Sequence, residues 1–335
     1  MKIFEDEKFK ALFSPNYKYV FNKEDGDFAR WGRKKEDDPD YSPFGPEIAD
    51  IEISTICHGI NNVLCSHCYK SNTGNGENMS LDTFKKVFSH LSRTVNQIAF
   101  GIGDIYSNKD LFDILKFTRD NGVIPNITIN GDNLTCYQID KLTELCGAIA
   151  VSRYSPKDVC YDAVDWLTDK GHSQINIHNV ISLETYENCI EVLTDSLTDP
   201  RLKKLNAIVF LALKPKGNRN KLTPLKDKDK WQKLIDFALS SNINIGFDSC
   251  SAPFAMQCLP NKYHNMIEPC ESTLFSIYIN VKGEVFPCSF LEDTDHYLGN
   301  AVDTDLFKIW NNDKAINFKK ELLGCGRKCP KFDIY

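Results

Sequence analysis

Apolar and polar positions along this chain fall into two periods that take turns. Short apolar runs of strand length are followed by longer stretches in which apolar residues recur every three to four positions. The order predicts a strand over 51–55 and a helix over 81–91, with Ser80 as N-cap. Strand 97–101 precedes helix 109–121, and strand 125–130 precedes helix 134–145. Further pairs follow at 148–152 with 157–170, 174–181 with 185–197, and 207–213 with 227–240, before a last strand at 243–247. Six strand–helix units in series imply parallel strands, because each crossover helix returns the chain to the same end of the sheet. A doubly wound sheet and a partial (β/α)6 barrel of the TIM type both satisfy this α/β order. Either one gathers its active site at the C-terminal ends of the strands.

The pattern breaks at both ends. Residues 1–47 read as an irregular, charged lead-in that ends among Pro39, Pro43 and Pro46, and the alternating core runs over 48–248. Over 249–335 the alternation stops. A small cysteine-rich unit is expected there, with strand-like pieces at 276–281 and 284–287 turning at Lys282-Gly283.

Composition changes this picture in one respect. The 335 residues carry 13 cysteines, too many for thiols that serve only as small hydrophobes. The N-terminus has no basic segment followed by an apolar one, and no apolar run approaches the roughly 18 residues a membrane span needs, so a cytoplasmic location is expected. Reducing conditions there disfavour a disulfide framework, which leaves metal or cluster binding as the leading use of the cysteines. A net charge of −6 argues against a broad nucleic-acid-binding surface.

The chemistry gathers on the loop after the first strand, Cys57-His-Gly-Ile-Asn-Asn-Val-Leu-Cys65-Ser-His-Cys68-Tyr69. Cys65 and Cys68 present two thiolates to one centre, and the longer loop returns Cys57 as a third. Three thiolates on a [4Fe–4S] cube leave one iron open for chemistry. A structural zinc ion wants a fourth ligand, which His58 or His67 can offer, so spacing leaves both open. After the second strand stands Gly101-Ile-Gly103-Asp104, where glycine permits close backbone approach and Asp104 offers a carboxylate. Later strand ends carry Thr128 and Asn130, Ser152 and Arg153, and His178 and Asn179. The sixth strand runs into the basic loop Lys214-Pro-Lys216-Gly217-Asn-Arg219, suited to an anionic substrate or simply solvated.

Near the C-terminus, Cys270 is followed by twelve residues, Gly283, four residues and Cys288, and Cys325 and Cys329 close the chain. Cys250 and Cys258 are unplaced by spacing: they can replace a ligand in that set, help a second cluster, or be free thiols. Cys136, Cys146, Cys160 and Cys189 fall on or beside helices and read as packed small hydrophobes. Zinc on four thiolates is chemically sound here as well.

Taken together, these residues resemble the radical S-adenosylmethionine (SAM) superfamily. Its usual Cys-x3-Cys-x2-Cys loop appears here with seven residues in the first gap, and its Gly-Gly-Glu element is matched by Gly101–Asp104. The C-terminal cysteines resemble the SPASM and twitch extensions, which carry auxiliary Fe–S clusters. The resemblance covers about 48–335 and implies the partial barrel. It implies a SAM-cleaving [4Fe–4S] cluster on Cys57, Cys65 and Cys68, and one auxiliary [4Fe–4S] cluster on Cys270, Cys288, Cys325 and Cys329. SAM would lie against His67, Tyr69, Gly101, Gly103, Asp104, Asn130, Ser152 and Arg153. It further implies a one-electron donor such as flavodoxin or ferredoxin, and a 5′-deoxyadenosyl radical that abstracts a substrate hydrogen. The substrate expected is a small molecule, a nucleotide or a peptide. A peptide maturase would need a separate leader-binding partner, given the short lead-in. The reading from another class is a non-catalytic zinc or Fe–S protein that binds a partner.

Overall fold

The computed structural model describes residues 1–34 and 36–335. The N-terminal segment is not the irregular lead-in expected. It forms an antiparallel four-stranded meander of β1 (Lys2–Glu5), β2 (Phe9–Phe13), β3 (Lys18–Asn22) and β4 (Phe28–Trp31). Its inward positions Leu12 and Tyr19, with Tyr17 beside them, are buried in one cluster with Cys270, Leu274, Phe275, Leu291 and Phe318. The meander therefore completes the C-terminal unit, from the far end of the chain.

The core then runs β5 (Ile48–Glu52), α1 (Leu81–Ser89), β6 (Gln97–Gly101), α2 (Leu111–Asp120), β7 (Ile124–Ile129), α3 (Cys136–Leu145) and β8 (Ile149–Ser152). It continues with α4 (Lys157–Asp169), β9 (Ile175–Ile181), α5 (Tyr186–Thr198), β10 (Ala207–Ala212), α6 (Lys228–Ser240) and β11 (Ile245–Phe247). These seven strands are parallel and lie side by side in strict sequence order. A doubly wound sheet would reverse direction at a switch point. The unbroken order, wound one way, is that of a partial barrel with its helices on one face. Ser80 caps α1 as expected, its hydroxyl accepting the Thr83 N–H at 3.1 Å.

Alternation along each strand separates two faces. Ile98 and Phe100, Ile127 and Ile129, and Ile208 and Phe210 are buried in one core with the helix residues Phe84, Ile114, Leu142 and Leu234. The alternate residues Asp50, Ala99, Thr128, His178 and Leu211 face the other side of the sheet, toward the barrel lumen, and are less completely buried.

The chain goes on through α7 (Ala252–Cys258), β12 (Ser276–Ile279), β13 (Glu284–Phe286), β14 (Gly299–Asn300), α8 (Leu306–Trp310) and α9 (Asp313–Gly324). The expected hairpin is there as β12 and β13. It is no separate body, since β12 pairs parallel with β5 and continues the barrel sheet. That pairing also explains why β5 starts three residues before the apolar run suggested: Ile48–Ile51 have a partner on each side. Among the described residues, no helix is long and apolar enough to cross a membrane.

Candidate active site at the cysteine loop

Beyond β5 the chain stays extended, with Ile53 N–H donating to Gly101 O at 2.9 Å and Thr55 N–H to Glu77 O at 2.9 Å. The cysteine loop follows, held over the C-terminal ends of the strands. Three braces fix it.

The first comes from the end of β6. A Cβ on Gly103 would stand 2.8 Å from Cys57 Cβ, and nearer still to the Ile56 carbonyl oxygen, so only glycine lets this strand end approach the loop. Asp104 N–H donates to that same Ile56 oxygen at 3.1 Å. The Asp104 side chain is wholly buried, and its Oδ2 accepts both the backbone N–H and Nδ1 of His58, each at 2.7 Å. Its Oδ1 accepts from Asn130 Nδ2 at 3.3 Å. The resemblance implied that SAM would lie against this residue; the structure engages its carboxylate in holding the residue after Cys57.

The second brace is the loop after β10. Arg219 donates to the carbonyls of Cys65, Ser71 and Asn72, at 3.3, 3.5 and 2.9 Å. Gly217, at φ 102°, lies so close to Cys68 that a Cβ would stand 3.0 Å from its carbonyl carbon. The basic residues, read from sequence as suited to an anionic substrate or simply solvated, are instead committed internally. Lys216 Nζ donates to Phe290 O at 2.7 Å, and Lys214 Nζ pairs with Asp248 at 2.5 Å. The third brace is Lys70, whose ammonium pairs with Glu52 at 3.1 Å and with Glu292, while Tyr278 O–H donates to Glu52 at 2.9 Å. It ties the exit of the loop to β5, β12 and the hairpin.

The donor set on this loop is three thiols. His58 is not a fourth ligand, since Nδ1 serves Asp104 and Nε2 faces Gly74, where a Cβ would lie 2.7 Å away. His67 packs its ring on Tyr154 at 5.6 Å, and burial lowers its pKa. Among the described residues, no three possible ligands lie close enough to share one metal ion. Three thiols without a protein fourth fit a four-iron cluster with one open iron. Burial pushes the Cys57 thiol up to about 12 and that of Cys65 to about 11, so loading a cluster here releases protons.

The structure distributes the remaining site residues unevenly. Gly101, Thr128 and Ser152 stand at the tops of β6, β7 and β8, and Asn130 joins Asp104. Tyr69 stacks on Phe290 at 4.3 Å, facing the hairpin. Arg153, expected among the residues against SAM, pairs its guanidinium with Glu191 and donates to the Tyr161 hydroxyl oxygen at 3.2 Å. Asn179 points away from the lumen, its Nδ2 donating to Cys189 Sγ at 2.9 Å. Asp132 went unnoticed; its carboxylate accepts the Asn61 N–H at 3.3 Å, and an acid two residues past a strand carries no distinctive signal.

The C-terminal thiols form a second group. Burial raises the Cys250 thiol, and neighbouring Cys270 and Cys288 raise it further. Cys270 in turn feels Cys329, and Cys288 feels both Cys270 and Cys329. The Tyr335 hydroxyl bridges the group, donating to Cys250 O at 3.1 Å and accepting the Cys329 N–H at 3.4 Å. Cys325 stands apart at the end of α9, its thiol directed at the carbonyls of Leu322 and Lys328, at 3.2 and 3.0 Å. Cys250, left unplaced by spacing, thus lies among Cys270, Cys288 and Cys329, while the Cys325 thiol is turned to its own helix end. Arg30 and Arg327 position Cys270: Arg327 donates to Cys270 O at 3.1 Å, and Arg30 pairs with Glu268 and Glu47 over the Phe275 ring. Of the four cysteines read as packed, Cys146, Cys160 and Cys189 are buried and Cys136 is exposed.

Residues 270–330 match the SPASM family, an iron-sulfur cluster-binding domain. No curated protein matches the chain by sequence. Among solved structures, Streptococcus suis SuiB is similar at a TM-score of 0.70 and 12% identity, over 94% of this chain and 90% of that one. SuiB bound to its precursor peptide SuiA is similar at 0.68 and 12%, over 92% and 90%. The protein anSMEcpe with bound S-adenosylmethionine is similar at 0.62 and 17%, over 86% of each chain. These likenesses establish the fold: the partial barrel implied by the radical SAM resemblance, extended by a SPASM segment.

Proposed function

We propose that this chain is a radical SAM enzyme that oxidatively modifies a peptide, with a SAM-cleaving [4Fe–4S] cluster on Cys57, Cys65 and Cys68. The observation that carries the reading is the cysteine loop itself. Three thiols without a fourth protein ligand are clamped over an open lumen by Gly103, Asp104 and Arg219. Bound there, the cluster and SAM supply a one-electron cleavage that yields methionine and a 5′-deoxyadenosyl radical able to take a hydrogen atom. The protein's part is positional. Gly101 and Gly103 let the top of β6 approach SAM, while Ser152 and Asn130 offer polar contacts. The lumen below, with Asp50, Thr128 and His178, receives the substrate. A barrel wall shields the radical from water.

Cys250, Cys270, Cys288 and Cys329 hold one auxiliary cluster, and four thiolates saturate it. A peptide substrate is favoured over a small molecule by the likeness to SuiB in complex with its precursor peptide. A flavodoxin or ferredoxin delivers the electron. Anaerobic reconstitution with iron and sulfide tests the reading. Roughly eight irons per chain are expected, as two cubanes, and SAM should perturb the electron paramagnetic resonance (EPR) spectrum of one cluster only. Stoichiometric zinc in place of iron, or a spectrum indifferent to SAM, would overturn it.

A further inference from the structure

One ion pair, of a buried lysine with a half-buried aspartate, lies near the auxiliary thiols, and the reading above gives it no role. Lys214, at the end of β10, is 4% exposed, and its ammonium sits 2.5 Å from Asp248 Oδ2. Asp248 follows β11 and is itself fixed. Its Oδ1 accepts the Ala212 N–H at 3.1 Å, the Ser251 N–H at 2.8 Å and the Ser251 hydroxyl at 2.6 Å. The ammonium lies 4.7 Å from the centre of the Phe290 ring and within reach of the Cys250 thiol. Phe290 lies two residues past Cys288, and Asp248 lies two residues before Cys250, so the ammonium stands beside both thiol segments. The pair is therefore oriented, with its positive end toward Phe290 and the thiol segments and its carboxylate turned back to the Ala212 and Ser251 N–H groups.

A buried pair is a weak device for stability, because desolvating both charges offsets most of their attraction. Its directional field in a dry interior is strong by comparison. Burial, charge and hydrogen bonding around an Fe–S cluster set its reduction potential. We propose that Lys214 is a positioning residue for redox poise: its ammonium, aimed by Asp248, raises the reduction potential of the auxiliary cluster held by Cys250, Cys270, Cys288 and Cys329. This rests on the auxiliary-cluster reading given above. A fixed cation beside the cluster stabilises its reduced form, which carries one more negative charge.

The full chain, reconstituted anaerobically, carries the test. A Cys57→Ala, Cys65→Ala, Cys68→Ala background removes the SAM-cleaving cluster, so that an EPR-monitored redox titration reports the auxiliary cluster alone. Lys214→Met should lower its midpoint potential, Asp248→Asn should raise it, and Lys214→Arg should stay near the starting value. Opposite signs from the two partners are the signature of the oriented pair, since loosening of the fold would move both the same way. Iron content per chain, read alongside, verifies that each variant holds the cluster. An unmoved potential in Lys214→Met, or shifts of equal sign in Lys214→Met and Asp248→Asn, would overturn this inference alone. Absence of any cluster in the background protein would overturn the auxiliary-cluster reading and this inference with it.

Discussion

Gly101 and Gly103 stand two residues apart at the top of β6, yet they answer differently to a single added methyl group. A Cβ on Gly101 would meet Glu52 Cα at 3.5 Å, an ordinary van der Waals contact. A Cβ on Gly103 would lie 2.8 Å from Cys57 Cβ and inside contact with the Ile56 oxygen, so the strand end and the cysteine loop must part. Parting strains the 3.1 Å bond from Asp104 N–H to Ile56 O and the two bonds that His58 makes to the buried Asp104 carboxylate. Overpacking costs about 1–3 kcal/mol and a lost buried hydrogen bond about 1–3 kcal/mol, so Gly103→Ala should destabilise the loop by about 2–6 kcal/mol. Gly101→Ala should fall within about 1 kcal/mol of wild type, in either direction. Iron analysis after reconstitution separates the two. Gly103→Ala should retain only the auxiliary cluster, roughly four irons, and should cleave SAM at a small fraction of the wild-type rate. Gly101→Ala should load both clusters. Full loading and normal cleavage in Gly103→Ala would refute the steric argument.

Two further outcomes follow from the same geometry. Cys250→Ala should lose the auxiliary cluster or alter its EPR spectrum, whereas Cys325→Ala should leave it intact; the reverse result would restore the ligand set that spacing suggested. Burial pushes His178 down to about 4, so the unfolded chain takes up its proton first, and stability falls as pH drops from about 6.5 toward 4. The full gap corresponds to as much as about 3 kcal/mol. Asp50 and Glu47 are pushed up to about 6 and 7, and they act with the opposite sign, contributing stability that is lost as pH rises. Urea denaturation at pH 7.5 and 5.5 should therefore show wild type losing stability relative to His178→Gln on acidification, and equal changes in the two proteins would contradict the burial of His178.

The barrel was legible because its strands and helices each repeat one period, and a six-fold repeat survives errors of two or three residues at any boundary. The meander was not. Its strands are four or five residues long, and their inward residues, Leu12 and Tyr19 among them, pack on a cluster some 250 positions away that no local pattern reveals. The cysteine loop was legible from ligand type and its place after the first strand. What Asp104 and Arg219 do was hidden, since a carboxylate that meets a ligand and one that accepts a histidine N–H look alike in sequence. The direction of Cys325 shows the same limit: it lies at the spacing expected of a ligand, but the end of α9 turns its thiol toward its own carbonyls.

The central claim is that the loop of Cys57, Cys65 and Cys68 carries out reductive cleavage of SAM. Incubation of the reconstituted chain with SAM and dithionite under anaerobic conditions, followed by quantification of 5′-deoxyadenosine, tests it most directly. The wild-type chain should form 5′-deoxyadenosine and Cys65→Ala should form none, while Cys325→Ala continues to cleave. Formation of 5′-deoxyadenosine by Cys65→Ala at the wild-type rate, or its absence from a wild-type chain that holds both clusters, would contradict the account.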